Sequence, residues 1–135
     1  MKLKDIMTTN AECCEPSAPI AEIAGKMRDY NVGSIPVCEN GSLTGIVSDR
    51  DIVIRCVAEN ETDAAARDIM STRMVTGRPD MSAEEAGDLM AEHQIRRLPI
   101  VEDGRLVGIV ALGDISVSHA DEKAGETLSE ISKPA

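Results

Sequence analysis

The chain has no tryptophan, no phenylalanine and a single tyrosine, Tyr30. Its core must be built from Ile, Val, Leu, Met and Ala, and the lack of aromatic faces argues against a platform on which single-stranded bases stack. Basic charge is also scarce: 14 Lys and Arg stand against 24 Asp and Glu, a formal net charge of −10. That is the wrong sign for a surface tracking a phosphate backbone, although a few converging arginines would suffice for a small phosphorylated ligand. No apolar run approaches the roughly 18 residues of a membrane span, and Met1-Lys2-Leu3-Lys4-Asp5 is not followed by the apolar core of a signal peptide. The cytoplasm is therefore the expected location, with neither nucleic acid nor membrane as partner. Phosphate-binding glycine loops, H-E-x-x-H, G-x-S-x-G and paired-histidine constellations are all missing, so no enzyme is expected.

Cys13, Cys14, Cys38 and Cys56 show no C-x-x-C spacing, and His93 and His119 lie far from them in sequence. Reduced core cysteines are the expectation. The adjacent Cys13-Cys14 is the exception, because side chains alternate along a strand and one of two neighbouring thiols should face outward. It keeps open a second reading, a redox- or metal-responsive interaction protein.

What the chain does have is a repeat. Gly45-Ile46-Val47-Ser48-Asp49-Arg50-Asp51-Ile52 returns largely as Gly108-Ile109-Val110-Ala111-Leu112-Gly113-Asp114-Ile115, an offset of 63 residues (108 − 45 = 63). The same offset carries Asp5-Ile6-Met7 onto Asp68-Ile69-Met70, Pro36 onto Pro99 and Gly41 onto Gly104 without a gap. A unit of about 60 residues is marginal alone, so two copies, 1–60 and 61–120, are expected to pack as one domain. Residues 121–135 form a tail in which Ala124, Leu128 and Ile131 suggest a helix.

Within each copy the order reads strand, helix, hairpin, helix. In the first, Ala11–Glu15 reads as a strand, and Ile20, Ile23, Ala24, Met27 and Tyr30 or Asn31 recur at helical spacing. Two β-branched runs flank Asn40-Gly41, a hairpin signal, and Ser48 or Asp49 suits the N-cap of a helix carrying Ile52–Val57. In the second, a strand is expected around Met74-Val75-Thr76, Ser82-Ala83-Glu84-Glu85 has the capping-box pattern, and Ala86, Leu89, Met90 and His93 form the buried stripe. Asp103-Gly104 supplies the second turn.

The Asp-Ile-Met starts, Val32-Gly33-Ser34-Ile35-Pro36-Val37, Ile95-Arg96-Arg97-Leu98-Pro99-Ile100 and the two Gly-h-Val endings together resemble the CBS domain family, named after cystathionine β-synthase, in its stand-alone tandem form. The resemblance implies an α+β fold of two β-α-β-β-α repeats packed with pseudo-two-fold symmetry, usually dimerising. It also implies clefts between the repeats that take AMP, ADP, ATP or S-adenosylmethionine, with the ligand altering a regulated protein partner. No cofactor is required.

Residue by residue, Gly45–Asp51 fits the nucleotide signature of such repeats. Asp51 offers two acceptor oxygens to vicinal ribose hydroxyls, and Ser48 can bond ribose or phosphate. Asp49 and Arg50 lie where a helix start presents N–H groups to an anion. The plainer alternative is that Ser48 and Asp49 only cap the helix. In the second copy Asp114 remains but Ala111 replaces the hydroxyl residue, so unequal clefts are expected. Arg97 holds the position just before the h-Pro step, where related sensors reach phosphate, and Arg96 adjoins it; a guanidinium fork suits that role. The adenine would lie against aliphatic groups and backbone near Ile35, Pro36, Cys13 and Ile46.

Overall fold

The structure is a computed structural model and describes residues 1–117. The expected tail helix lies outside the described residues. No helix among them is long and apolar enough to cross a membrane. The fold is α+β, and the chain divides into two compact units: Glu12–Met74, and Met1–Ala11 together with the chain from Val75 on.

The unit Glu12–Met74 begins where the sequence places its first strand, but only one residue pairs. Cys14 forms a parallel bridge with Val37, its N–H donating to the Pro36 carbonyl at 2.9 Å and its carbonyl accepting from Cys38 N at 2.9 Å. Pro16 has no N–H with which to extend the ladder, and the chain turns at once, Ala18 N donating to Glu15 O. Helix α1 (Ile20–Tyr30) buries Ile20, Ile23 and Met27. Ala24 and Tyr30, expected on that stripe, are exposed. Tyr30 is the last helical residue, and Asn31 turns the chain in the left-handed region with φ 54°, so the helix ends before its stripe reaches further into the core.

Strands β1 (Ser34–Glu39) and β2 (Ser42–Ser48) form the expected hairpin. Asn40 and Gly41 both have positive φ, 52° and 85°, the combination that matches turn twist to strand twist. The register runs from Ser34 opposite Ser48 to Glu39 opposite Ser42, with a bulge between Val37 and Cys38. After Ser48 come α2 (Asp49–Asp51) and a π-helical stretch, Ile52–Val57, whose wider turn is marked by Ala58 N donating to Val53 O at 2.9 Å. Helix α3 (Ala66–Ile69) follows. Ile23, Ile35, Val37, Val47, Cys56 and Ile69 make the core of this unit.

The other unit repeats these devices. Helix α4 (Ala83–His93) is capped by Ser82, whose Oγ accepts from Glu85 N at 3.0 Å. It buries Ala86 and Met90, with Leu89 half-buried. His93 is exposed rather than buried, for the reason that exposes Tyr30: Gln94 ends the helix with φ 53°. The strand expected around Met74-Val75-Thr76 is a single bridge at Gly77, opposite Ile100. A Cβ on Gly77 would meet Leu98 Cδ2 at 2.9 Å and Ile100 Cδ1 at 3.1 Å, so a side chain here would have to displace these buried side-chain ends. Strands β3 (Arg97–Glu102) and β4 (Arg105–Ala111) pair with their own bulge between Ile100 and Val101, and α5 (Leu112–Val117) closes the described chain.

Sequence repeats and compact units partition the chain differently. The turn Leu3–Asp5 belongs to the unit of α4 and β3–β4, where Leu3 is fully buried. Met70, at the matching place downstream, packs in the unit of α1 and β1–β2. The lock is the same in both. A Cβ on Gly108 would sit 2.7 Å from Met7 Sδ, and one on Gly45 would sit 2.5 Å from Met70 Sδ. A methionine is wedged against bare backbone in each unit.

Candidate functional site

In the unit Glu12–Met74 the candidate residues gather at the end of β2. The Ser48 Oγ accepts from Asp51 N at 3.0 Å, and the Asp51 Oδ2 accepts from Ser48 N at 2.8 Å. This reciprocal pair follows from the S-x-x-D spacing, which places a short carboxylate opposite the first unpaired amide of a helix. Ser48 and Asp51 are half-buried, and Ser34 stands opposite Ser48 across the hairpin.

Capping by an aspartate three residues on is a general device of this chain. Asp5 accepts from Lys2 N at 3.3 Å, Asp68 from Ala65 N at 2.9 Å and Asp114 from Ala111 N at 2.8 Å. The cap therefore explains why an aspartate stands at position 51 but does not by itself mark a ligand site. What sets this position apart is what surrounds it. The second carboxylate oxygen, Oδ1, has Arg55 Nε at 3.8 Å, beyond hydrogen-bond range, so its lone pairs can take a further donor. Ser48 accepts through Oγ and keeps its hydroxyl proton for an acceptor. Arg55 itself reaches the Ile69 carbonyl through Nη1 at 3.2 Å. Its i,i+4 spacing from Asp51 is the signal that marks it; inside an apolar run it is easily passed over.

Asp49 and Arg50 are exposed. Asp49 N donates to Gly33 O at 2.9 Å, and its Oδ1 accepts from Arg50 N at 2.8 Å, so backbone donors at this helix start are already engaged. The aliphatic candidates separate by strand alternation. Ile35 is 1% exposed and belongs to the core with Cys14, Val37 and Val47, which leaves it only backbone to offer a ligand. Pro36 faces the other way and stands opposite Ile46. Cys13 is half-buried and, next to inward-facing Cys14, falls on the Pro36 side. Ser48, Asp51, Pro36, Ile46 and Cys13 are thus compatible with one surface, and Ile35 is not on it.

In the other unit, Arg97 opens β3 opposite Ala111. Burial lowers the Arg97 pKa, and the neighbouring Asp114 carboxylate opposes that shift. A guanidinium partly withdrawn from water is more strongly attracted to an anion than an exposed one. Arg96 is exposed, and its carbonyl accepts from Leu112 N at 2.9 Å. Arg97, Ala111 and Asp114 are brought together, while Arg96 contributes backbone. Among the described residues no three His, Cys, Asp or Glu side chains converge on a metal position.

The CBS domain profile matches this chain twice, over residues 3–57 and 66–118. The CBS domain-containing protein YhcV of Bacillus subtilis is 48% identical over 132 residues, spanning 96% of this chain and 94% of the relative. Two solved structures share the fold at TM-scores of 0.77 and 0.76. One is CBSX2 in complex with AMP, 25% identical and covering 90% of this chain and 98% of that one. The other is the CBS domain pair of protein MJ0100 in complex with 5′-methylthioadenosine and S-adenosyl-L-methionine, 27% identical with the same coverages of 90% and 98%.

Proposed function

Because the chain belongs to the CBS domain family and carries that domain twice, we propose that it is a non-catalytic regulatory protein binding an adenine nucleotide (AMP, ADP or ATP) or a related adenosyl ligand such as S-adenosylmethionine. The observation that carries this reading is the half-buried Ser48–Asp51 pair, with one carboxylate oxygen held by the backbone and the other directed away from it. A fixed carboxylate matches two adjacent ribose hydroxyls without losing further rotamer freedom. Adenosyl ligands bound to CBSX2 and to MJ0100 support the ligand class.

The second repeat offers Asp114 without a serine but adds Arg97 beside it. We read the first repeat as the ribose-gripping site and the second as the one favouring phosphate. A ligand acts as a signal when it binds one conformation better than another, and the effect then passes to a protein partner. Val53, Ile54 and Val57, between 49% and 60% exposed on the π-helical stretch, form an apolar face that favours a homodimer.

The test is calorimetric titration of the purified protein with AMP, ADP, ATP and S-adenosylmethionine, repeated on Asp51→Ala after a thermal melt confirms folding. At least one ligand should bind below the millimolar range, and Asp51→Ala should weaken it at least tenfold. Binding unchanged by that substitution removes the first repeat from the site.

A further inference from the structure

Four cysteines lie in the first repeat, and the second carries Thr76, Gly77, Val101 and His119 at the matching positions. The fold distributes the four unevenly. Cys56 is buried and its Sγ donates to Glu61 O at 3.1 Å. Cys14 is 5% exposed within the core cluster, and burial pushes its thiol up to about 11. Both are structural.

Cys13 and Cys38 differ. The backbone bonds that flank Cys14, to Pro36 O and from Cys38 N, hold this segment directly against β1. Side chains alternate, so Cys14 and Val37 face the core while Cys13 and Cys38 share the opposite face. Accordingly Cys38, although only 6% exposed, is not among the residues of the core cluster. After burial, the Cys13 thiol is the neighbour that most raises the Cys38 pKa, as two side chains on one face of this bridge should. The adjacent pair singled out by sequence is split between two faces, and the pair the fold creates is 25 residues apart (38 − 13 = 25).

We propose that Cys13 and Cys38 are a peroxide-reactive thiol pair that closes to an intramolecular disulfide. Cys13, half-buried and the more accessible of the two, is the entry point. Its thiolate attacks one oxygen of a peroxide, giving Cys13 sulfenic acid and hydroxide. The Cys38 sulfur then displaces the sulfenic hydroxyl, and the Cys38 proton leaves with it as water. Two thiols are oxidised by two electrons, and the peroxide O–O bond is reduced. Burial, and next the Cys13 neighbour, push the Cys38 thiol up to about 12, so it remains protonated and unreactive toward peroxide until a sulfenic acid forms beside it. The bridge would tie the segment before α1 to the strand after it, and its formation in the ligand-free chain does not depend on the proposed nucleotide.

The test treats the reduced full chain with hydrogen peroxide, alkylates remaining thiols and maps tryptic peptides by mass spectrometry. A linked pair, Asp5–Lys26 joined to Asp29–Arg50, is expected in wild type. It should persist in Cys14→Ala and Cys56→Ala and vanish in Cys13→Thr and Cys38→Val. Thr76 and Val101 already occupy those two positions in the second repeat, so both variants should fold. Closing a loop of this size should raise the Tm of the wild type by about 10 °C, reversed by dithiothreitol, with no rise in Cys13→Thr. A link through Cys14 or Cys56, a link between two chains, or oxidation of Cys13 to sulfinic acid without a bridge overturns the proposal.

Discussion

The two repeats agree in backbone devices while most of their side chains differ, and what is kept and what is changed are both informative. Asn31 and Gln94 end α1 and α4 with φ 54° and 53°, and Asn40-Gly41 and Asp103-Gly104 make the same turn. The bulges fall at Val37/Cys38 and at Ile100/Val101, and methionine locks bare backbone at Gly45 and Gly108. Left-handed caps, turns and close approaches admit few residue types. The differences gather elsewhere. Ser48 corresponds to Ala111 and Ser34 to Arg97, and the ion pair of Lys26 with Glu12 is replaced by the half-buried Leu89 and Val75. Geometry is shared, and chemistry at the ends of the strands has diverged.

The largest test of this likeness is the methionine lock. Gly45→Ala and Gly108→Ala should each cost about 1–3 kcal/mol in urea denaturation, because the added Cβ has the Ser71 carbonyl at 3.1 Å or the Thr8 carbonyl at 3.0 Å behind the sulfur. Loss in only one variant would mean that the two units are not held alike.

Next comes the cap. Ser48→Ala makes the first repeat chemically like the second and should cost about 1 kcal/mol of stability. It should also weaken nucleotide binding about three- to tenfold, one hydrogen bond's worth. Ala111→Ser is the reciprocal change and should strengthen binding at the second repeat. If titration shows the two swaps leaving affinity alike, the difference between repeats is not made at this position.

The smallest effect belongs to Glu12 and Lys26. The Lys26 bond lowers the Glu12 pKa below its ordinary 4.5, so the pair stabilises above that pH and the contribution is lost as pH falls through the lower, folded value. Glu12→Gln should destabilise by less than about 1 kcal/mol at neutral pH, as for surface pairs generally, with the difference shrinking in melts as pH is lowered through the folded Glu12 pKa. Joint replacement by Val and Leu, the residues of the second repeat, should be neutral or stabilising.

Much of the candidate site is legible along the chain because its determinants are local. The S-x-x-D spacing of Ser48 and Asp51 is enough to place a carboxylate on the preceding amide, and Asn40-Gly41 is enough to make the turn that sets Ser34 opposite Ser48. Burial at the ends of elements is less legible. Tyr30 and His93 continue their stripes in spacing yet lie exposed, because a periodic pattern does not say where the packing partner stops. Ile35 and Pro36 are neighbours in the chain but not on one face, and which face meets the core depends on the strand's partners.

Sequence by itself determined the repeat, the turns, the caps and the family, since each rests on contacts among residues a few positions apart or on an offset that survives translation along the chain. Tertiary structure alone decided which methionine locks which glycine, that Arg97 stands beside Asp114, and that Cys13 shares a face with Cys38 rather than with Cys14. Those are pairings between distant segments, chosen by how the units bury their apolar faces, and no local spacing encodes them.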